Sequence, residues 1–256
     1  MTATQRLKEI GDILQAGEEV TIPEMAVRFA VSEMTIRRDL DKLAESGMVR
    51  RTHGGAVSTE KMAFEFDFAT RRQSHHAAKI AIASKAAELV QNGQRIILDT
   101  GTSTLELAHI LKDRTDLTII TPSLAVASEL QFSDGIQAIL LGGAVRKGRP
   151  DLTGLVAEAT LDMFSADIAF QGADGIGDDG ALYTADMQVA AVDKKIRSRA
   201  MKTYVLADSS KIRETALIRH GFLHEVAGLI TDSGISKKDR KSFEKLGVKV
   251  IVVKGK

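Results

Sequence analysis

The 256-residue sequence has no cysteine and no tryptophan, only three prolines, and aromatics make up 4 % of it. Without cysteine, disulfides, thiolate catalysis and cysteine-ligated zinc are excluded. His75 and His76 are sequence neighbours whose side chains diverge, so no metal site is expected there, and nothing in the pattern calls for a cofactor. No apolar run approaches the roughly 18 residues of a membrane span. The Met1 to Arg6 run is not the charged-then-apolar start of an export signal, and the expectation is a cytoplasmic protein with no membrane partner. One-sided charge is missing too. Lys and Arg number 35 against 34 Asp and Glu, a net charge of +1, which argues against a chain that coats nucleic acid non-specifically. What is present, 44 % apolar and 27 % charged residues, is ordinary for a folded chain. Its length suits a module of about 60 residues beside a larger domain.

Near the start, Leu7, Ile10, Ile13 and Leu14 recur at helical spacing, and Gly17 follows as a stop. After Val20, Thr21 and Ile22, Pro23 occupies a first-turn position, and Met25, Ala26 and Phe29 give a second helix its apolar face, ending near Ala30. Ser32 then supplies an N-cap hydroxyl and Glu33 an acid at the positive helix end. A third helix runs from there to Glu45 or Ser46, with Gly47 just beyond as the C-terminal cap. Two helices joined by so tight a turn make a helix-turn-helix. At 100° per residue, Leu40 and Leu43 fall within about 40° of Ile36, and the three form the buried stripe.

Met34, Arg38, Asp41 and Glu45 face the opposite way, flanked by Thr35 and Lys42 on one side and Arg37 on the other. Arginine pairs bidentately with guanine and threonine meets a base edge or thymine methyl, so Thr35 and Arg38 are the base-reading candidates, with Arg37 on phosphate or base. Asp39 would be repelled by phosphate and is read as the structural partner of a nearby arginine. Met48 and Val49 begin a strand that leads through Arg50, Arg51, Thr52 and His53 to Gly54 and Gly55, a hairpin wing whose arginines flank the groove. The DNA-binding candidates are therefore Ser32, Met34, Thr35, Arg37, Arg38, Lys42, Arg50, Arg51 and His53. Each cation alone is as readily a solvated surface charge; their coincidence on one side of a capped helix and a glycine wing favours DNA. Residues 1–60 hold ten acids against eight Lys and Arg, so attraction must come from one face rather than from total charge.

The run Ser32-Glu33-Met34-Thr35-Ile36-Arg37-Arg38-Asp39-Leu40 resembles the helix-turn-helix signature of the DeoR-type bacterial sugar-metabolism regulators. Arg51-Thr52-His53-Gly54-Gly55-Ala56 resembles their wing, and the likeness continues through almost the whole chain.

Residues 1–57 are taken as the winged helix-turn-helix and residues 58–78 as a linker, where Phe64, Phe66 and Phe68 alternate ahead of Arg71 and Arg72. From residue 79 to 256, helices alternate with short apolar strands at Arg95 to Asp99, Leu117 to Thr121, Ile136 to Leu141, Ala166 to Gln171, Thr203 to Ala207, Gly228 to Thr231 and Val248 to Val253. That alternation defines an α/β fold with a mostly parallel sheet covered on both faces. Ligands bind such sheets at the carboxyl ends of the strands. Asp99, Thr100, Gly101, Thr102, Ser103 and Thr104 follow the first strand and lead into a helix, a combination of hydroxyls, a close backbone and helix amides that suits a phosphate. It lacks the spacing and lysine of a Walker loop. Other strand ends contribute Thr121 with Ser123, Gly142 and Gly143 with Arg146, Asp174, and Lys211. Arg146 and Lys211 can neutralise phosphate, and Asp99 and Asp174 can hold sugar hydroxyls. Read singly, the glycines are turns, the aspartates helix caps and Lys211 a surface cation.

The family resemblance implies an effector domain sharing the fold of ribose-5-phosphate isomerase and binding phosphorylated sugars, on the matches Asp99 to Thr102, Gly142 to Arg146, Gly172 to Ile176 and Asp208 to Lys211. Val189 and Asp193 stand where members usually carry a Glu and, four residues on, a Lys, with Lys194 adjacent; Pro122 stands where an Asn is common. The expected function is a repressor of a sugar-catabolism operon, partnered by double-stranded operator DNA and a phosphorylated sugar, and acting as a homodimer or homotetramer because one winged domain with few cations binds weakly. The alternative is a sugar-phosphate isomerase-like enzyme with a DNA-binding appendage, but Gly172 to Gly175 offers the single acid Asp174, with Lys211 the nearest proton donor.

Overall fold

The computed structural model describes residues 2–15, 20–45, 49–52, 54–58, 68, 71–146 and 148–254. The readings at Gly17, Gly47, Met48, His53, Phe64 and Phe66 lie outside the described residues. The chain divides into two compact units, Met1–Arg71 and Arg72–Lys256.

In the first unit the order is α1 (Ala3–Gln15), β1 (Val20–Thr21), α2 (Ile22–Phe29), α3 (Glu33–Glu45), β2 (Val49–Arg51) and β3 (Gly55–Ser58). Thr21 caps α2: its backbone is extended, and its hydroxyl accepts from the Glu24 amide at 3.4 Å and donates to the Glu24 carboxylate at 2.7 Å. Ala30 ends the helix in the left-handed region at φ 51°, its N–H returning to the Ala26 and Val27 carbonyls. This tight reversal delivers the chain to Ser32, whose Oγ accepts the Thr35 amide at 3.2 Å and starts α3. Ile36, Leu40 and Leu43 are buried against Ile10, Leu14, Val20, Ile22, Met25 and Ala56, each such side chain contributing about 2 kcal/mol.

Strand β3 pairs antiparallel with both β2 and β1. Gly55 is required at that junction, because a Cβ there would stand 1.8 Å from the Val20 carbonyl oxygen. Gly54 has open space around it and accepts the Ile22 amide with its carbonyl at 2.9 Å. Asp39 is buried at 3 % exposure and accepts from the Arg6 guanidinium at 2.6 Å, so the acid on the recognition helix holds α1 to α3.

In the second unit, β4 (Arg95–Leu98), β5 (Leu117–Thr121), β6 (Ile136–Leu140), β9 (Ile168–Gln171), β12 (Thr203–Leu206), β14 (Gly228–Asp232) and β15 (Val250–Val253) form a seven-stranded sheet in the order β15-β14-β12-β9-β4-β5-β6. Every pairing in it is parallel. Helices α4 (His76–Ala87), α5 (Thr102–Leu111) and α6 (Leu124–Leu130) cover one face. The other carries α7 (Leu155–Asp162), α8 (Met187–Arg199) and α9 (Lys237–Lys245). Ile97, Ile120 and Ala169 pack there against Ala157, Leu161, Val192 and Ile196.

Two smaller pieces did not show in the periodicity. A hairpin joins β7 (Ala144–Val145) to β8 (Leu152–Thr153), and β10 (Gly175–Ile176), β11 (Ala181–Thr184) and β13 (Ile218–Phe222) form an antiparallel sheet. The connections from β4 run outward through β5 to β6, then return to place β9 on the other side of β4. The chain thus changes direction between β4 and β9, and the carboxyl ends of those two strands flank a crevice that no crossover covers.

Replacing Asp39 by Ala leaves the Arg6 guanidinium buried without its partner. It is expected to destabilise the first unit by about 3 kcal/mol, read as a lower first transition in calorimetry of the full chain with the second transition unmoved.

Candidate functional site

Helix α3 exposes Met34, Arg37, Arg38, Asp41 and Lys42 on the side away from its core. Four of the expected contacts, Ser32, Thr35, Arg37 and Arg51, have internal partners. Thr35 is half-buried and shares a hydroxyl contact with Ser32 at 2.9 Å. Arg37 lies 3.5 Å from Glu33, one turn back, and Arg51 lies 3.3 Å from Asp41. Arg38 and Lys42 have neither hydrogen bond nor ion pair among the described residues. Glu33, Asp39 and Asp41 on α3 are therefore engaged by arginines, and among the described residues the exposed face keeps uncompensated positive charge at Arg38 and Lys42. The side chain of Arg50 lies outside the described residues, as does His53.

At the crevice in the second unit, Asp99 ends β4 with its side chain 4 % exposed, and its Oδ2 accepts the Gly172 amide across the gap at 3.0 Å. Burial pushes its carboxyl up to about 7, helped by the charges of Asp151 and Asp174 and opposed by the amides of Gly172 and Thr100. Gly101, at φ 132°, opens α5, whose first amides at Thr102 and Ser103 have no acceptor within the helix. Asp174 accepts from the Thr184 hydroxyl at 3.0 Å and the Ala185 amide at 3.3 Å. Lys211 sits half-buried in a single 3-10 turn capped by Asp208, and its ammonium has no partner among the described residues.

Several expected ligand contacts are instead used inside the fold. The Thr104 hydroxyl donates to the Asp99 and Gly101 carbonyls at 2.8 and 3.0 Å. Thr121 accepts the Ser123 amide at 3.0 Å, and Ser123 caps α6 by accepting the Val126 amide at 3.2 Å. Thr104, Thr121 and Ser123 are all at least 98 % buried. Gly142 and Gly143 make room for α7, since a Cβ at Gly143 would come within 2.9 Å of the Thr153 carbonyl and 3.1 Å of Ala157. Arg146 forks onto Asp151 through Nε and Nη2, at 3.0 and 2.5 Å, and reaches Asp186 at 3.5 Å. It bridges the β7–β8 hairpin to the cap of α8, where Asp186 accepts the Gln188 and Val189 amides.

Four residues beside Asp99 escaped the sequence reading as site residues: Gln171, Asp193, Arg197 and His220. Asp99 and Gln171 occupy matching positions at the ends of adjacent strands, on the face where α8 packs. Asp193 and Arg197 stand one turn apart on that helix. Arg197 Nη1 donates to Gln171 Oε1 at 2.9 Å and to His220 Nδ1 at 3.1 Å, while Nη2 donates to the His220 carbonyl. Burial and the Arg197 charge push His220 down to about 4. Asp193 is held well above the usual carboxylate range by burial first and by the charge of Asp99 second. The available signal was Asp193 itself, an acid between Val192 and Ile196 on the buried side of a helix. Among the described residues no three His, Asp or Glu are arranged to hold a metal ion, and no helix is long and apolar enough to cross a membrane.

A helix-turn-helix with a wing, joined to a parallel α/β unit with an anion-suited crevice, defines a DNA-binding regulator carrying a small-molecule sensor domain. Two family models match the chain, the DeoR-like helix-turn-helix domain over residues 6–62 and the DeoR C terminal sensor domain over residues 74–233. The chain belongs to the DeoR family. It is 34 % identical over 253 residues to an uncharacterised HTH-type transcriptional regulator, YulB, of Bacillus subtilis, covering 99 % of this chain and 98 % of that one. Identity to the glycerol-3-phosphate regulon repressor of Escherichia coli K12 is 32 % over 236 residues, 91 % and 92 % of the two chains. The transcriptional repressor AccR of Agrobacterium fabrum is also 32 % identical, over 246 residues, 93 % and 95 % of the two. Among solved structures, ribose 5-phosphate isomerase A of Methanocaldococcus jannaschii aligns with 52 % of this chain and 53 % of its own at 23 % identity and TM-score 0.40.

The raised Asp99 and Asp193 carboxyls hold protons in the folded chain that the unfolded chain has released above about pH 4. Their contribution to stability is full at low pH and is lost as pH rises through about 7 for Asp99. His220 acts in the opposite sense, its contribution being present above about pH 6.5 and lost as pH falls towards 4. Between pH 6.5 and 8 the carboxyls therefore dominate. Asp99→Asn keeps an oxygen for the Gly172 amide and is expected to melt higher than the parent at pH 8, by a few kcal/mol at most, and to flatten the decline of the melting temperature over that range in calorimetry.

Proposed function

We propose that the protein is a repressor of a carbohydrate-catabolism operon that grips operator DNA through residues 1–57 and is controlled by a phosphorylated sugar bound in residues 79–256, with 58–78 as the linker. The observation that carries this reading is the joining, in one chain, of a groove-sized helix whose Arg38 and Lys42 have no partner among the described residues to a parallel sheet whose strand ends carry the Gly101 turn with its helix amides and, after β12, Lys211. Relatives named as repressors support it. In this reading Arg38 reads bases, while Arg37, Lys42, Arg50, Arg51 and His53 lie along phosphates. The phosphate sits on the Thr102 and Ser103 amides with Lys211 neutralising it, and Asp99 and Asp174 face the sugar hydroxyls. The protein acts in the cytoplasm as a homodimer or tetramer on repeated half-sites, without catalysing turnover of the sugar.

Coupling has a physical route. Helix α5, which caps the anion cradle, also carries buried Glu106, 4 % exposed, one turn further on. Glu106 holds Arg72 at 3.3 Å and His76 at 3.4 Å, side chains in the last part of the linker, where the second compact unit begins. An effector that shifts α5 therefore acts on the point where the linker is anchored, and the shift in DNA affinity equals its differential affinity for the two arrangements.

Electrophoretic mobility shifts with operator fragments, with and without a panel of sugar phosphates, test this reading; retention of no DNA under any condition would falsify it. Arg38→Ala is expected to cost about 1–3 kcal/mol on the operator and to relax sequence preference. Arg51→Ala is expected to weaken binding to all sequences alike, and by less, because its guanidinium is already shared with Asp41. Glu106→Gln is expected to leave operator affinity intact while reducing the response to the sugar phosphate.

A further inference from the structure

Below the anion cradle, four polar atoms at the Asp99 end of the crevice are buried without a hydrogen-bond partner among the described residues. They are Asp99 Oδ1, Gln171 Nε2, Asp193 Oδ1 and His220 Nε2. All four side chains are at least 95 % buried. Native folds leave few buried polar atoms unpaired, because each gives up its hydration for nothing, so a cluster of four is a specific feature rather than a surface accident.

Arg197 determines what each atom offers. A guanidinium only donates, so His220 Nδ1, 3.1 Å from Arg197 Nη1, must accept. The imidazole is then neutral with its proton on Nε2, an unpaired donor. Gln171 Oε1 is likewise taken by Arg197 at 2.9 Å, which leaves its amide NH2, on the side of Asp193, as a second donor. On the other side, Asp99 Oδ2 is occupied by the Gly172 amide and leaves Oδ1. Asp193 keeps Oδ2 at 3.6 Å from the His220 ring and leaves Oδ1. The cluster thus presents two nitrogen donors and two carboxyl oxygens.

We infer that this cluster is a hydroxyl-reading floor, which takes two adjacent hydroxyl groups of the ligand and makes Asp193 and His220 specificity-determining residues. A hydroxyl donates and accepts at once, so a neighbouring pair satisfies all four atoms together. An ammonium would satisfy the carboxyls and leave the His220 and Gln171 donors unpaired. A carboxylate or second phosphate would face Asp99 and Asp193, and a methyl or deoxy carbon would satisfy none. This inference rests on the phosphorylated-sugar reading and adds which end of that ligand is discriminated.

The test is calorimetric titration of the full chain, at pH 7.5, with inorganic phosphate, ribose 5-phosphate, fructose 6-phosphate, glucose 6-phosphate and glucosamine 6-phosphate. The tightest hydroxylated sugar phosphate is then carried to the Asp193→Asn and His220→Leu variants. Each variant is expected to lose about tenfold in affinity for that sugar phosphate, with inorganic phosphate bound within twofold of the parent. Asp193→Asn is expected to melt no lower than the parent, which separates lost recognition from lost structure. The inference is overturned if both variants keep the parent's preference for the sugar phosphate over inorganic phosphate, or if glucosamine 6-phosphate binds the parent more tightly than glucose 6-phosphate. Failure of every phosphate compound to bind would instead remove the sugar-phosphate reading beneath it.

Discussion

The hydrogen bond from the Gly172 amide to Asp99, across the gap between β4 and β9, is the contact on which the sensor end of the molecule depends. It exists because the chain leaves β4 in one direction and returns to lay β9 on its other side, so that neither strand end is roofed by a crossover. A carboxyl placed there is deprived of water, which pushes its titration up to about 7. One of its oxygens is satisfied by backbone amides and the other is not. The same crevice draws in Asp193 and Arg197 from α8 and His220 from β13, each with its own unmet or shared hydrogen bonds. Such a cluster is a poor way to stabilise an isolated domain and a good way to discriminate a ligand, since the ligand supplies what the fold withholds.

The DNA-facing unit settles its charge differently. Its acids outnumber its Lys and Arg in sequence, an excess that a polyanion repels. The fold eases the conflict by giving the acids of the recognition helix partners: Asp39 to Arg6 in the core, Asp41 to Arg51 and Glu33 to Arg37 on the surface. Total charge is therefore uninformative, whereas the charge left unpaired on one helical face is informative. The buried Arg6–Asp39 bond also fixes the angle between α1 and α3, so the acid that looks least compatible with DNA is one that holds the recognition helix in place.

Much of the architecture was legible from spacing and capping. The stripe Ile36, Leu40 and Leu43, the Ser32 cap, the Ala30 reversal and the parallel strands at residues 95–98, 117–121, 136–140, 168–171, 203–206, 228–232 and 250–253 appear where the sequence placed them, within two residues at their ends. The hairpin at residues 144–153 and the antiparallel sheet of β10, β11 and β13 were not legible, because two-residue strands carry no periodicity and in β13 Arg219, His220 and Gly221 interrupt the apolar run. Single hydroxyls were read less well than elements. Thr104, Thr121 and Ser123 were expected at the ligand because they follow strands, yet the same position makes them the nearest groups to satisfy free backbone amides and carbonyls, and that is where their hydrogen bonds go.

The sequence by itself determined the helix-turn-helix, the wing glycines, the parallel α/β sheet and the general location of an anion cradle after β4. Those features depend on residues within one or two turns of each other, and periodicity and capping are written at that range. Only the tertiary structure decided which acids are paired, which hydroxyls are already engaged, and that Gln171, Asp193, Arg197 and His220 meet beside Asp99. Those residues come from β9, α8 and β13, and the only force that gathers them is the packing of one helix and a small sheet on the face of another sheet. Such packing follows from strand order and register, which no local pattern encodes.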